Sequence, residues 1–162
     1  MIGNPPWDQV QLDPQEFFAS RNPAIADAPN MTARDALISA LAEDDPVLYA
    51  EYETEQRRND GVKHFVHSSG LFPLTSYGRL NTYSLFAEMS RAVISAAGNS
   101  GLILPTGIAT DSFNQYFFRD LVEKRKLFSF LDFENEAFLL SRAVHHSVRF
   151  CLLTVRGRAA DV

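Results

Sequence analysis

Asn4-Pro5-Pro6-Trp7 is the stretch of this 162-residue chain best suited to chemistry. Two consecutive prolines lack backbone N–H groups and hold φ near −65°, so the segment is a rigid, donor-poor corner with its acceptors directed outward. The side-chain oxygen of Asn4 and the carbonyl of Pro5 are suitable acceptors for the two N–H bonds of an exocyclic amine. Such an amine on a nucleobase is a poor nucleophile, because its lone pair is delocalised into the ring. Two fixed acceptors favour a tetrahedral nitrogen, which is electrostatic preorganisation. Trp7 then offers a ring on which the base can stack.

Other reactive side chains read more plainly. Cys151 lies within Phe150-Cys151-Leu152-Leu153 and is expected to be a small core side chain, not a nucleophile. His64 and His67 stand at i,i+3 and His145-His146 are adjacent, but helical histidines at this spacing more often occupy a solvated face, and no metal site is expected. Asn81 and Asp111 are each explained as helix caps. Glu134 and Asn135 follow a strand end where a doubly wound sheet opens its cleft, with a structural hydrogen-bonding role expected.

The elements that position these residues follow from periodicity and turn chemistry. Ile2-Gly3 reads as the end of a strand. Asp13-Pro14-Gln15-Glu16 reads as a capped helix start leading into Phe17 and Phe18. Pro23 and Pro29 break the next stretch. Leu37, Ile38 and Leu41 share a helical face until Asp44-Asp45-Pro46. Residues 46 to 67 form a charged helix with a break expected at Asn59-Asp60-Gly61. After a loop over residues 68 to 78, Asn81 precedes a helix with Leu85, Phe86, Met89, Val93 and Ile94 at helical spacing, ending at Ala97-Gly98-Asn99. Gly101 to Pro105 is a short apolar run that suits a buried parallel strand. A helix follows, carrying Phe113, Phe117, Leu121 and Tyr116 inward. Leu127 to Phe133 and Val148 to Val155 are β-forming runs that can pair antiparallel, before a small frayed polar tail from Arg156 onward.

Length allows one domain and one core. Net charge is −5, and the cationic groups Arg57-Arg58, Lys124-Arg125-Lys126 and Arg149 to Arg158 are each expected to be solvated surface, so charge alone argues against nucleic acid. No apolar run of membrane-spanning length and no signal-like opening occurs, and the single cysteine fits a reducing compartment. The expected location is the cytoplasm, without a membrane partner.

The tetrapeptide resembles the catalytic motif of the amino-group DNA methyltransferases, in which Asp, Asn or Ser precedes Pro-Pro and an aromatic. Gly78 to Glu88 (GRLNTYSLFAE), Gly101 to Asp111 (GLILPTGIATD), Asp132 to Asn135 (DFEN) and Val144 to Val155 (VHHSVRFCLLTV) extend the likeness, in order, to the N6-adenine methylases of restriction-modification enzymes. The resemblance implies an α/β fold: a partial Rossmann-like, class I methyltransferase sheet made of the later strands, flanking helices and a C-terminal antiparallel pair. Residues 1–156 form the partial catalytic domain and 157–162 the tail. It implies methyl transfer from S-adenosylmethionine to the N6 of an adenine flipped out of double-stranded DNA, in a restriction-modification or related defence system. Asn4, Pro5, Pro6 and Trp7 would be catalytic, with Trp7 and Phe138 stacking on the base. Phe138 stands in for the family's usual Phe-Pro aromatic, where Leu140-Ser141 occurs instead.

In that family a glycine-rich turn and an acidic ribose-binding residue precede the tetrapeptide, and a target-recognition domain follows the last strand. The chain opens at the tetrapeptide, so its cofactor-binding residues are unknown and an interior piece is expected. Such a piece would be inactive alone, would meet DNA through a recognition domain outside it, and could be complemented by an N-terminal chain. The alternative is an inactive remnant or split-protein module that associates, with itself or another chain, through an exposed sheet edge. A weaker option is methylation of an amide or amine on protein or RNA.

Overall fold

The computed structural model describes residues 1–136 and 147–157. They form two compact units: Val10–Phe65, and Met1–Gln9 together with Val66 onward. The first is therefore an insertion in the chain segment that leaves Trp7. The one core anticipated from length is instead two, because each unit has enough Phe, Leu, Ile and Tyr to close its own.

The inserted unit is helical. Helix α1 (Pro14–Phe18) starts as its sequence requires, the Asp13 carboxylate accepting from the N–H groups of Gln15 at 2.7 Å and Glu16 at 3.4 Å. Asn22 and Asn30 cap α2 (Pro23–Ala26) and α3 (Met31–Asp44) in the same way. The stretch between Pro23 and Pro29 thus holds a helical turn. Phe18, Ile25, Ile38 and Leu41 form the centre of this core, with Tyr52 against it, while Leu37 is exposed. Arg34 reaches across to the carbonyls of Ile25, Ala26 and Ala28 at 3.0–3.3 Å, satisfying the end of α2.

Helix α4 (Pro46–Ser68) runs unbroken through Asn59-Asp60-Gly61, where a break was expected. Gly61 costs a helix only about 1 kcal/mol relative to Ala. Local bonds offset it: Asn59 Nδ2 donates to the Glu55 carbonyl and Lys63 pairs with Asp60, each at 3.1 Å. No helix among the described residues is long and apolar enough to cross a membrane.

The second unit is a mixed α/β layer. Its sheet has the order β1-β2-β4-β3, from β1 (Ile2–Gly3), β2 (Asn99–Pro105), β3 (Leu127–Glu134) and β4 (Arg149–Arg156). Strands β1 and β2 are parallel, with Ile2 opposite Gly101; β4 lies antiparallel to both β2 and β3. The expected antiparallel pair is present, and the apolar run 101–105 makes up the carboxyl-terminal five residues of β2. Helices α5 (Thr82–Val93), α6 (Gly107–Thr110) and α7 (Gln115–Glu123) complete the unit. Leu104, Ile108, Phe117, Leu121 and Cys151 are fully enclosed at its centre, while Phe113 and Tyr116, both expected inside, are exposed.

Two boundaries and one face differ from expectation. Helix α5 ends at Val93, several residues before Gly98. Its buried side carries Tyr83, Ser84, Leu85, Ala87, Glu88 and Ser90, while Phe86, Met89 and Val93 are exposed. Small and hydrogen-bonded residues there let backbones approach closely, so the most apolar spacing is not the buried one. Arg156 is the last residue of β4, not tail, and Gly157 is buried, its N–H donating to the Gly98 carbonyl at 2.8 Å. Residues 158–162 lie outside the described residues.

Candidate functional site

The corner is held from both sides. Upstream, Gly3 pairs with Leu102, the terminal amine of Met1 donates to the Asn99 carbonyl at 2.8 Å, and Gly101 N–H donates to the Met1 carbonyl at 2.9 Å. Downstream, Thr82 at the start of α5 grips the chain around Trp7. Its hydroxyl donates to the Pro6 carbonyl at 2.8 Å and accepts the Asp8 N–H at 3.0 Å, while its own N–H donates to the Asp8 carbonyl at 2.9 Å. Gln9 then bridges antiparallel to Asn81. Asn4 and Pro5 span the gap between these anchors.

Since β1 runs parallel to β2, the corner leaves at the carboxyl end of both strands, the end where open α/β sheets bind ligands. The Asn4 side chain is exposed. Among the described residues neither its amide nor the Pro5 carbonyl takes part in a hydrogen bond. Both acceptors are therefore free to meet a donor. Trp7 is half-buried against the cluster that includes Tyr83, Leu104 and Leu153, and its Nε1 is enclosed with no hydrogen-bond partner among the described residues. The indole thus both packs and stays partly open, with its polar edge turned away from solvent.

Behind the corner lies a buried polar network. Ser84 Oγ donates to Asn114 Oδ1 at 2.7 Å; Asn114 Nδ2 donates to the Gly107 carbonyl at 2.9 Å and to Tyr83 Oη at 3.2 Å. Tyr83 Oη lies 3.4 Å from Asp111 Oδ2. Burial is the main cause that raises the Tyr83 pKa, so the phenol stays protonated and donates. Asn81 and Asp111 occupy cap positions as expected, but neither side chain makes a cap hydrogen bond: Asn81 Nδ2 faces the Arg79 carbonyl at 3.4 Å and Asp111 faces Tyr83.

The same sheet end carries an ionic cluster. Thr106 Oγ1 donates to Asp132 Oδ1 at 2.5 Å, and Arg149 bonds Asp132 at 2.5 Å and lies 3.6 Å from Glu134. The Thr106 hydroxyl and the Arg149 guanidinium hold the Asp132 carboxyl below the usual carboxylate range. Glu134 is exposed in this cluster and Asn135 is wholly buried. Sequence does not single out Thr106 and reads Arg149 only as solvated surface, since their meeting at Asp132 depends on the β2–β4 register.

Cys151 is enclosed, and burial pushes its thiol up to about 12, which leaves no thiolate for nucleophilic chemistry. His67 Nδ1 is 2.8 Å from the Ser76 carbonyl. Among the described residues no group of three His, Cys, Asp or Glu side chains is placed to hold a metal. Phe138, His145 and His146 lie outside the described residues. A hollow of about 410 Å3 in this unit is lined by Leu74, Glu88, Arg91, Asp120 and Lys124 among others, and includes no corner residue. The chain matches no family model, and no curated protein or solved structure matches it.

S-adenosylmethionine, implied by the resemblance, needs backbone open to a ligand at a strand-to-helix turn. Gly107, at the turn from β2 into α6, is filled by the protein itself: a Cβ there would meet Asp111 Oδ2 at 2.4 Å and Tyr83 Oη at 3.1 Å. This turn therefore offers the cofactor no open cradle, and the corner itself presents two acceptors spaced for the two N–H bonds of an amine.

Proposed function

We propose that this chain supplies the target-base half of a DNA adenine-N6 methyltransferase of the restriction-modification kind, with the cofactor and the DNA recognition surface supplied by polypeptide outside the described residues. The observation that carries it is the pair of unengaged acceptors, Asn4 Oδ1 and the Pro5 carbonyl, on a corner clamped at the carboxyl end of two parallel strands. Each would accept one N–H of an adenine N6 amine, drawing the lone pair out of conjugation, with Trp7 beneath the ring. The reversed β4 between β2 and β3 supports the same reading, being the kind of reversed strand the resemblance implies.

The test uses Trp7, the chain's one tryptophan, as reporter. A duplex with an adenine opposite an abasic site should quench its fluorescence saturably at low salt. An N6,N6-dimethyladenine duplex lacks both donors and should bind roughly tenfold more weakly, and the adenine duplex should bind Asn4→Ala, which loses one acceptor, roughly threefold more weakly, each lost bond contributing about 0.5–1.5 kcal/mol. Equal affinity for the two duplexes would remove the amine-gripping role.

A second reading is favoured by one observation: β1 is an edge strand and its Ile2 is 92% exposed. Such an edge can recruit another chain without catalysis. Sedimentation of a strict monomer at all concentrations, with no complementing chain captured, would count against it.

A further inference from the structure

Prolines fix φ at positions 5 and 6, yet leave ψ of Pro6 and both dihedrals of Trp7 free. Those angles decide where the Pro6 carbonyl points, how the Asn4-Pro5 segment is set relative to its downstream anchor, and how the indole lies. One side chain bonds the peptide groups on both sides of Trp7. The Thr82 hydroxyl donates to the carbonyl before Trp7 and accepts from the amide after it, at 2.8 and 3.0 Å, and the Asp8 carbonyl is a second acceptor 3.0 Å from the same oxygen. A hydroxyl is the smallest group able to donate and accept at once, and a β-branched residue holds it in few rotamers.

The residue before Thr82 makes the arrangement more telling. Asn81 stands at the cap position of α5 but its side chain caps nothing, and the Thr82 N–H bonds the Asp8 carbonyl. The first turn of α5 is thus tied to the corner instead of to its own cap. With Gly3 anchored on β2, the corner is fastened at both ends, leaving only Asn4 and Pro5 between them to face a ligand.

We propose that Thr82 is the positioning residue of the amine-gripping corner, holding the peptide units on either side of Trp7 so that the Asn4 and Pro5 acceptors are set before a base arrives; this builds on the functional reading above. Thr82 touches no substrate in that scheme. It lowers the reorganisation the corner must undergo on binding.

Thr82→Val keeps the shape and removes the hydroxyl, and Thr82→Ser keeps the hydroxyl. Acrylamide quenching of Trp7 in the free protein should rise about twofold in the Val variant, and its discrimination between the adenine and dimethyladenine duplexes should fall about threefold to fivefold, the order expected for losing one or two solvent-exposed bonds. The Ser variant should restore both, with far-UV circular dichroism unchanged throughout. Thr82→Ala repeats the comparison with neither the hydroxyl nor any γ-methyl group. Wild-type quenching and discrimination in the Val variant would overturn the proposal, and so would loss of the whole fold in both Val and Ala variants, which would mark the hydroxyl as a general stabiliser. If the wild-type protein does not discriminate the duplexes, the functional reading fails, while the quenching comparison still decides whether Thr82 sets the corner.

Discussion

Trp7 has two tasks that substitution can separate. Its Nε1 is enclosed without a partner, and a buried unsatisfied donor costs about 1–3 kcal/mol. Trp7→Phe removes that donor. It also gives up roughly 40 Å2 of apolar surface, worth about 1 kcal/mol at 25 cal/mol per Å2, and leaves a small void against the core cluster on which Trp7 packs. The opposing effects should nearly cancel, so urea unfolding followed by circular dichroism should place the Phe variant within about 1 kcal/mol of the wild type. Trp7→Ala loses the packing of a half-buried ring and should cost about 2–3 kcal/mol, below the 3–5 of a fully buried aromatic. On the extrahelical-adenine duplex the order differs: Phe still offers a stacking face, whereas Ala should lose about 1–3 kcal/mol of affinity. A Phe variant destabilised by more than about 2 kcal/mol would mean that the indole N–H contributes stability, contrary to its unpartnered burial.

Two further perturbations test the scaffold. Gly157→Ala places a Cβ 2.1 Å from the Ser95 carbonyl oxygen and 2.5 Å from that of Ala96, both backbone, so it should cost about 2–4 kcal/mol through overpacking and loss of the bond to Gly98; a change below about 0.5 kcal/mol in urea unfolding would refute the role given to this residue. Burial raises the pKa of Glu88 despite its bonds from Thr75 Oγ1 at 2.6 Å and Leu74 N–H at 3.0 Å. The folded state then holds the proton more tightly than the unfolded chain, so this stability is full below the unfolded carboxyl pKa of about 4.3 and is lost as pH rises through the folded value. Stability of the wild type relative to Glu88→Gln, which does not ionise, should therefore fall as pH rises above about 4, and a difference flat with pH would contradict the assignment.

Local signals in the chain were legible where one interaction decides. Asp13 before Pro14 starts a helix because its carboxylate is within reach of the Gln15 and Glu16 amides, and the β-forming runs of β3 and β4 pair antiparallel as expected. Where several weak preferences compete, the sequence misleads. A glycine beside Asn and Asp signals a break, but inside a 23-residue helix its cost is small against the intact ladder, and α4 continues. In α5 the apolar spacing of Phe86, Met89 and Val93 points outward, since Ser84 must reach Asn114 and Glu88 must reach Thr75. No periodicity encodes those needs. The residues of the inserted unit include eleven acids and five bases, an imbalance hidden in the whole-chain charge of −5 until its boundaries are known.

The corner itself shows why its residue types are readable and its support is not. Asn4-Pro5-Pro6-Trp7 announces rigid acceptors through composition alone, but a two-residue β1 cannot hold a position by itself, since strand pairing stabilises only as part of a larger sheet. Its place comes from β2, about a hundred residues later, and from Thr82, whose bonds to Pro6 and Asp8 cross sequence separations of 76 and 74 residues. The segment between includes an insertion with its own core. The corner can therefore form only after β2 and α5 have docked, because the closure of so long a loop is unrewarded until those contacts exist. Its geometry is consequently a property of the folded sheet unit and not of the tetrapeptide, and a peptide containing only the first nine residues should present none of it.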